Sequence, residues 1–131
     1  PFWKNGVLWM RDITRGGLAT ILSELAEQIP HPILLEEAAI PMSNPVRAAA
    51  ELLGIDPLYL ACEGRAILIV PGPKAATILS RVKKNPLGRR AAVIGRIQDR
   101  VGRPGELLLK TSAGGLRLLE PLTSELLPRI C

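Results

Sequence analysis

Between the Gly16-Gly17 pair and Pro30 the chain carries Leu18, Ile21, Leu22, Leu25 and Ala26, spaced i, i+3, i+4, i+7 and i+8. This spacing lays an apolar stripe along one face of a helix, and that stripe must be covered by another element. Pro30 and Pro32 end the helix, because a residue before proline is driven out of helical geometry. The remaining chain therefore has to supply a cover, and it offers short apolar runs that read as strands.

Residues 1–14 read as a lead-in, with 7–10 a short buried strand or turn. Ile33–Glu36 reads as a strand. Ser43 or Asn44 is expected to cap a second helix, with Pro45 in its first turn and Gly54 at its left-handed C-terminal end. Asp56-Pro57 signals a turn. Residues 65–70 read as a buried central strand ended by Pro71, entered through Cys62-Glu63-Gly64. A third helix is expected over 74–83, with Ala75, Ile78, Leu79 and Val82 on its inner face. Residues 85–88 read as a loop. Residues 91–97 and 107–111 read as two strands joined by a glycine-rich turn at Gly102 and Gly105, and 116–119 as a further short strand or turn. Early helix–strand alternation with later antiparallel strands predicts a layered α+β domain, its mixed or antiparallel sheet packed by helices. The expected division is a domain over 1–120 and a flexible tail over 121–131.

Composition narrows the function. The formal charge is +5, but the basic residues are scattered and only four residues are aromatic. A single-strand nucleic-acid groove needs a basic track with stacking platforms, so solvated helix faces account better for the charge, and no nucleic-acid partner is expected. One histidine and two distant cysteines offer no metal-ligand cluster and no disulfide framework, which points to a reducing cytoplasm. No apolar run approaches the ~20 residues of a membrane span, and no signal peptide is expected. A chain opening on Pro1 is expected to belong to something longer.

Three constellations carry chemistry. Residues 11–17 (RDITRGG) open the first helix, where free N–H groups and the helix dipole attract anions. Gly16 and Gly17 allow close backbone approach, Thr14 offers a hydroxyl and Arg15 a planar donor for phosphate oxygens. The plainer reading is that Asp12 or Thr14 caps the helix and the glycines relieve a turn. Glu63, beside Gly64, is either a base held at a cleft or an ordinary turn residue, and Cys62 reads as a small core residue. Finally, Cys131 ends the chain on LPRIC (127–131), and ten extended residues reach ~33 Å. A terminal thiol is either an accident of a loose end or a carrier, and Arg129 and the terminal carboxylate oppose each other in setting its reactivity.

Taken in order, residues 10–19 (MRDITRGGLA), 54–59 (GIDPLY) with Glu63-Gly64, 86–88 (PLG) and 127–131 (LPRIC) resemble the C-terminal half of the HypE family of hydrogenase maturation proteins. That family is related to aminoimidazole ribonucleotide synthetase, thiamine-monophosphate kinase and selenophosphate synthetase. The helix-opening motif is shared loosely across the superfamily, whereas the terminal PRIC is specific to HypE. Cys62 and Arg65 depart from the Asn and Lys usual beside Glu-Gly.

The resemblance implies the C-domain of a two-domain protein. An N-terminal domain outside this chain would bind most of the ATP, with magnesium, and form a homodimer. A HypF-type carbamoyltransferase would load Cys131, ATP-dependent dehydration would turn the S-carboxamide into a thiocyanate, and the cyanide would pass to iron on a HypC–HypD complex. In this scheme Cys131 is the carrier, Glu63 the base, and Asp12, Thr14, Arg15, Gly16 and Gly17 contribute to phosphate binding. The chain alone is expected to be inactive. Two other readings stay open: the C-domain of another ATP-dependent superfamily member, and a non-catalytic domain that docks partners.

Overall fold

The computed structural model describes residues 6–122. The expected tail over 121–131, Cys131 included, lies outside the described residues from position 123 on. Among the described residues three α-helices and six strands follow in the order β1 (Trp9–Asp12), α1 (Gly17–Gln28), β2 (Ile33–Glu36), α2 (Asn44–Leu53), β3 (Ala66–Ile69), α3 (Ala75–Lys83), β4 (Gly95–Ile97), β5 (Leu107–Lys110) and β6 (Leu116–Leu119). The expected α+β class holds.

The stripe on α1 finds its cover in a four-stranded sheet ordered β4-β2-β5-β6. Ile33 and Leu35 of β2, Leu107 and Leu109 of β5, and Leu119 of β6 form one core with Leu18, Ile21, Leu22 and Leu25 of α1. Ile21, Leu22, Leu35, Leu107 and Leu109 are fully buried. Each such side chain contributes about 1.5–3 kcal/mol by leaving water, so this contact dominates the stability. The alternate residues Leu34 and Leu108 are buried on the opposite face, where Leu108 lies against the Gly102 backbone.

The sheet corrects one expectation. The strands at 91–97 and 107–111 do not form a hairpin, because β2 lies between them. It pairs antiparallel with β4 and parallel with β5, in the register Ile33↔Leu107. The run of apolar residues on β2 is the reason. A strand buried on both faces is most stable between two neighbours. Of 91–97 only Gly95–Ile97 is strand, extended by one bond from the Glu36 N–H to the Ile94 carbonyl at 2.9 Å.

The expectation of a buried central strand at 65–70 is also corrected. β3 belongs to a separate two-stranded antiparallel ribbon with β1, in the register Trp9↔Ile69 and Asp12↔Ala66. Trp9, Ile67 and Ile69 pack on the core, while Leu8 and Met10 are exposed. An apolar run marks a strand but does not say how many neighbours it has.

The second helix forms as expected, with Pro45 in its first turn and Gly54 left-handed at φ 65. Ser43 occupies the N-cap position, yet its side chain makes no capping bond. In α3 the expected inner residues Ala75, Ile78, Leu79 and Val82 are half-buried and their neighbours exposed, so the face is right but shallowly covered.

Candidate functional site

The opening of α1 is built by two consecutive left-handed glycines, Gly16 at φ 72 and Gly17 at φ 65. Gly16 is the N-cap, and no side chain caps the helix. Neither Asp12 nor Thr14 plays the capping role of the plainer reading. Asp12 ends β1 and is exposed, and Thr14 is half-buried, its carbonyl accepting from the Gly17 N–H at 3.1 Å. Arg15 is exposed. The helix N-terminus is uncapped and the exposed Arg15 stands beside it, a setting that suits an anionic oxygen, while Gly17 itself is buried with its N–H taken by Thr14.

Glu63 lies on a four-residue turn from Cys62 to Arg65, closed by the Arg65 N–H donating to the Cys62 carbonyl at 3.2 Å. Gly64 at φ 82 takes the third position, as a type II turn requires, and leaves Glu63 exposed at the second. Cys62 is half-buried against the core, as its residue type suggests.

The tertiary structure joins these two segments. The Cys62 N–H donates to the Ile13 carbonyl at 3.0 Å, and the Ile13 N–H donates to the Arg65 carbonyl at 3.0 Å. The Glu63 turn is thus bonded at both ends to the residue between Asp12 and Thr14. A third tie comes at Gly17, packed so tightly on the preceding segment that a Cβ would stand 2.4 Å from the Leu58 carbonyl oxygen. The Arg65 side chain reaches the Pro41 carbonyl at 3.4 Å and steadies the far side of the turn.

Sequence reasoning missed Tyr59 and Thr20. The Tyr59 hydroxyl donates to the Glu120 carbonyl at 2.9 Å, and the Leu122 N–H donates to Thr20 Oγ1 at 3.4 Å. Burial, helped by the Asp56 carboxylate, pushes the Tyr59 phenol above its usual value and keeps it a donor. Tyr59 falls within GIDPLY, so the motif held a signal for it. Nothing local marks Thr20.

Asp12, Arg15 and Glu63 are exposed. Clefts of about 350 Å³ and 310 Å³ lie elsewhere, the first between α2 and Asp56, the second beside Ser23 and Glu120. Neither is lined by Glu63 or by residues 12–17. Among the described residues no group of three or more His, Cys, Asp or Glu could hold a metal ion. No helix among them is long and apolar enough to cross a membrane.

Residues 1–104 match the family described as AIR synthase related protein, C-terminal domain. The chain is 41% identical over 126 residues to the carbamoyl dehydratase HypE of Rhodobacter capsulatus, covering 96% of this chain and 36% of that protein. It is 46% identical over 122 residues to the carbamoyl dehydratase HypE of Azotobacter vinelandii, covering 93% and 35%. It thus spans about a third of the length of the curated relatives it matches. A crystal structure of the hydrogenase maturation protein HypE superimposes with a TM-score of 0.88 at 42% identity, over 96% of this chain and 40% of that one. HypE in complex with ATP gives 0.86 at 41%, over 96% and 38%. A HypE–HypF complex gives 0.81 at 30%, over 90% and 37%.

Proposed function

This chain belongs to the family of AIR synthase related proteins, C-terminal domain, and on that premise we propose that it is the C-terminal part of a HypE-type carbamoyl dehydratase. The observation that carries the reading is the double backbone tie between the Glu63 turn and Ile13, which fastens the turn four residues ahead of the uncapped start of α1. Relatives named carbamoyl dehydratase HypE, a solved hydrogenase maturation protein HypE in complex with ATP and a solved HypE–HypF complex support it.

The reaction converts R–S–C(=O)NH2 and ATP into R–S–C≡N, ADP and phosphate, with R–S the sulfur of Cys131. The carboxamide oxygen takes the terminal phosphoryl group of ATP, so that oxygen can leave as phosphate. One N–H proton goes to solvent as phosphorylation turns the carboxamide into an O-phosphoryl imidate, and the second is lost as phosphate departs and the C≡N bond forms. Glu63 is the base for the proton lost as phosphate departs, a role that a positioned carboxylate fills well. The helix opening, with Gly16 and Gly17 setting its turn and Thr14 and Arg15 as side-chain donors, contributes to holding phosphate oxygens, and Asp12 borders it. Among the described residues no acid groups gather into a site that would hold by itself the magnesium expected with ATP.

The remainder of the longer protein would supply most of the nucleotide site and the homodimer contact. HypF would load Cys131, and a HypC–HypD scaffold would receive the cyanide, all in the cytoplasm. The test is intact mass of the full-length protein after carbamoylation and addition of ATP. Loss of one water from the adduct on Cys131 supports the reading. An adduct that never loses water would refute it and favour a domain that only docks partners.

A further inference from the structure

Three ties fasten the end of β6 to one side of α1 and its neighbour. Ser23 Oγ donates to the Leu119 carbonyl at 3.2 Å, the Tyr59 hydroxyl to the Glu120 carbonyl at 2.9 Å, and the Leu122 N–H to Thr20 Oγ1 at 3.4 Å. Ser23 and Thr20 are three residues apart, on one face of the helix. As the chain advances from 119 to 122, its partner on α1 therefore steps back from Ser23 to Thr20, toward the helix N-terminus. Thr20 itself abuts Gly16, where a Cβ would stand 2.4 Å from Thr20 Oγ1. Tyr59 abuts Gly17, its carbonyl carbon 2.6 Å from where a Cβ would stand. Leu122 is thus tied to α1 within one helical turn of the candidate phosphate site. Nine residues follow Leu122, the last of them Cys131, a span of at most ~32 Å.

From this we infer that Tyr59 and Thr20 are positioning residues for the dehydration, fastening residues 120–122 beside the first turn of α1 so that the covalent path to Cys131 starts there. The inference rests on the dehydratase reading. Without the two hydroxyls the last such tie among the described residues is at Leu119, and the covalent path from it to Cys131 is twelve residues rather than nine. Chain length alone then dilutes the terminal sulfur about 1.5-fold at the site. Loss of the fixed starting point adds to this, as expected when one hydrogen bond changes an equilibrium about five-fold.

The experiment uses full-length protein carrying Tyr59→Phe, Thr20→Val, both together, and Thr20→Ser. Single-turnover dehydration of protein carbamoylated on Cys131 is compared with dehydration of a carbamoylated synthetic peptide of residues 123–131, supplied to the same variants on a Cys131→Ala background. The expected result for the double variant is a loss of about three- to five-fold for the attached sulfur, no change for the free peptide, and recovery in Thr20→Ser. Amide exchange at Leu122 should accelerate in Thr20→Val and not in Thr20→Ser. Equal losses for attached and free substrates, or no loss for either, would overturn the anchoring role while leaving the dehydratase reading intact. If wild-type protein forms no thiocyanate from either substrate, the dehydratase reading fails and the anchoring role fails with it.

Discussion

Gly17 meets the backbone of Leu58 so closely that the carbonyl oxygen of Leu58 occupies the space of a side chain, 2.4 Å from where a Cβ would stand. The contact joins the start of α1 to the segment that leads into the Glu63 turn. It is also a position with φ 65, which only glycine adopts without cost. Gly17→Ala therefore faces both left-handed strain and a clash with main chain that cannot rotate away. We expect a loss of about 2 kcal/mol or more in urea unfolding. Gly64→Ala, also left-handed but with open space around it, should cost only about 1 kcal/mol.

Glu63→Gln in the full-length protein should still accept a carbamoyl group on Cys131 while dehydrating it about 10²- to 10⁴-fold more slowly. Glutamine keeps the size of the side chain and removes the basic oxygen. Glu63 is exposed on its turn, so circular dichroism should show an unchanged fold. Wild-type rates would place the base on the rest of the protein.

The 131-residue chain alone should neither release ADP from ATP nor make thiocyanate. Residues 12–17 and Glu63 line neither cleft, and a nucleotide needs a concave site with several converging polar groups. Steady ADP release by the purified chain would contradict this.

Glu37 should make acid stability pH-dependent. Its carboxylate accepts the Ser112 N–H at 2.6 Å, and that bond holds its pKa below the ordinary 4.5. A depressed carboxylate contributes stability that is present above its unfolded value and is lost as pH falls through the folded one. Unfolding midpoints measured downward from pH 6 should therefore decline below about 4.5 less steeply in Glu37→Gln than in the wild type. Parallel curves would assign the acid sensitivity to other carboxylates.

Ile21→Ala should lose about 2–5 kcal/mol, because the side chain is fully buried between α1 and the sheet and leaves a cavity. Leu52→Ala, on the exposed side of α2, should change stability by less than about 0.5 kcal/mol. Comparable losses at the two positions would mean that the core is not centred on α1.

What the sequence determined by itself is local. The apolar stripe, the flanking glycines and the prolines delimit α1, Pro45 and Gly54 bracket α2, and Gly64 predicts its own turn, because each depends on neighbours within a few positions. The motifs at 10–19, 54–59 and 63–64 likewise pointed to the right family, since they are contiguous strings. Only the tertiary structure decided which strands are neighbours: β2 lies between β4 and β5, and β3 pairs with β1 away from the main sheet. Pairing partners depend on register and on burial of both faces, and neither is written in the period of a single strand. The same holds for the candidate site. Glu63 and Gly17 were legible as separate signals, but their union passes through Ile13, whose two backbone bonds carry no side-chain signature. Thr20 was invisible for a related reason. Its partner Leu122 is 102 residues away, and a threonine on a helix looks the same in sequence whether or not a distant amide reaches it.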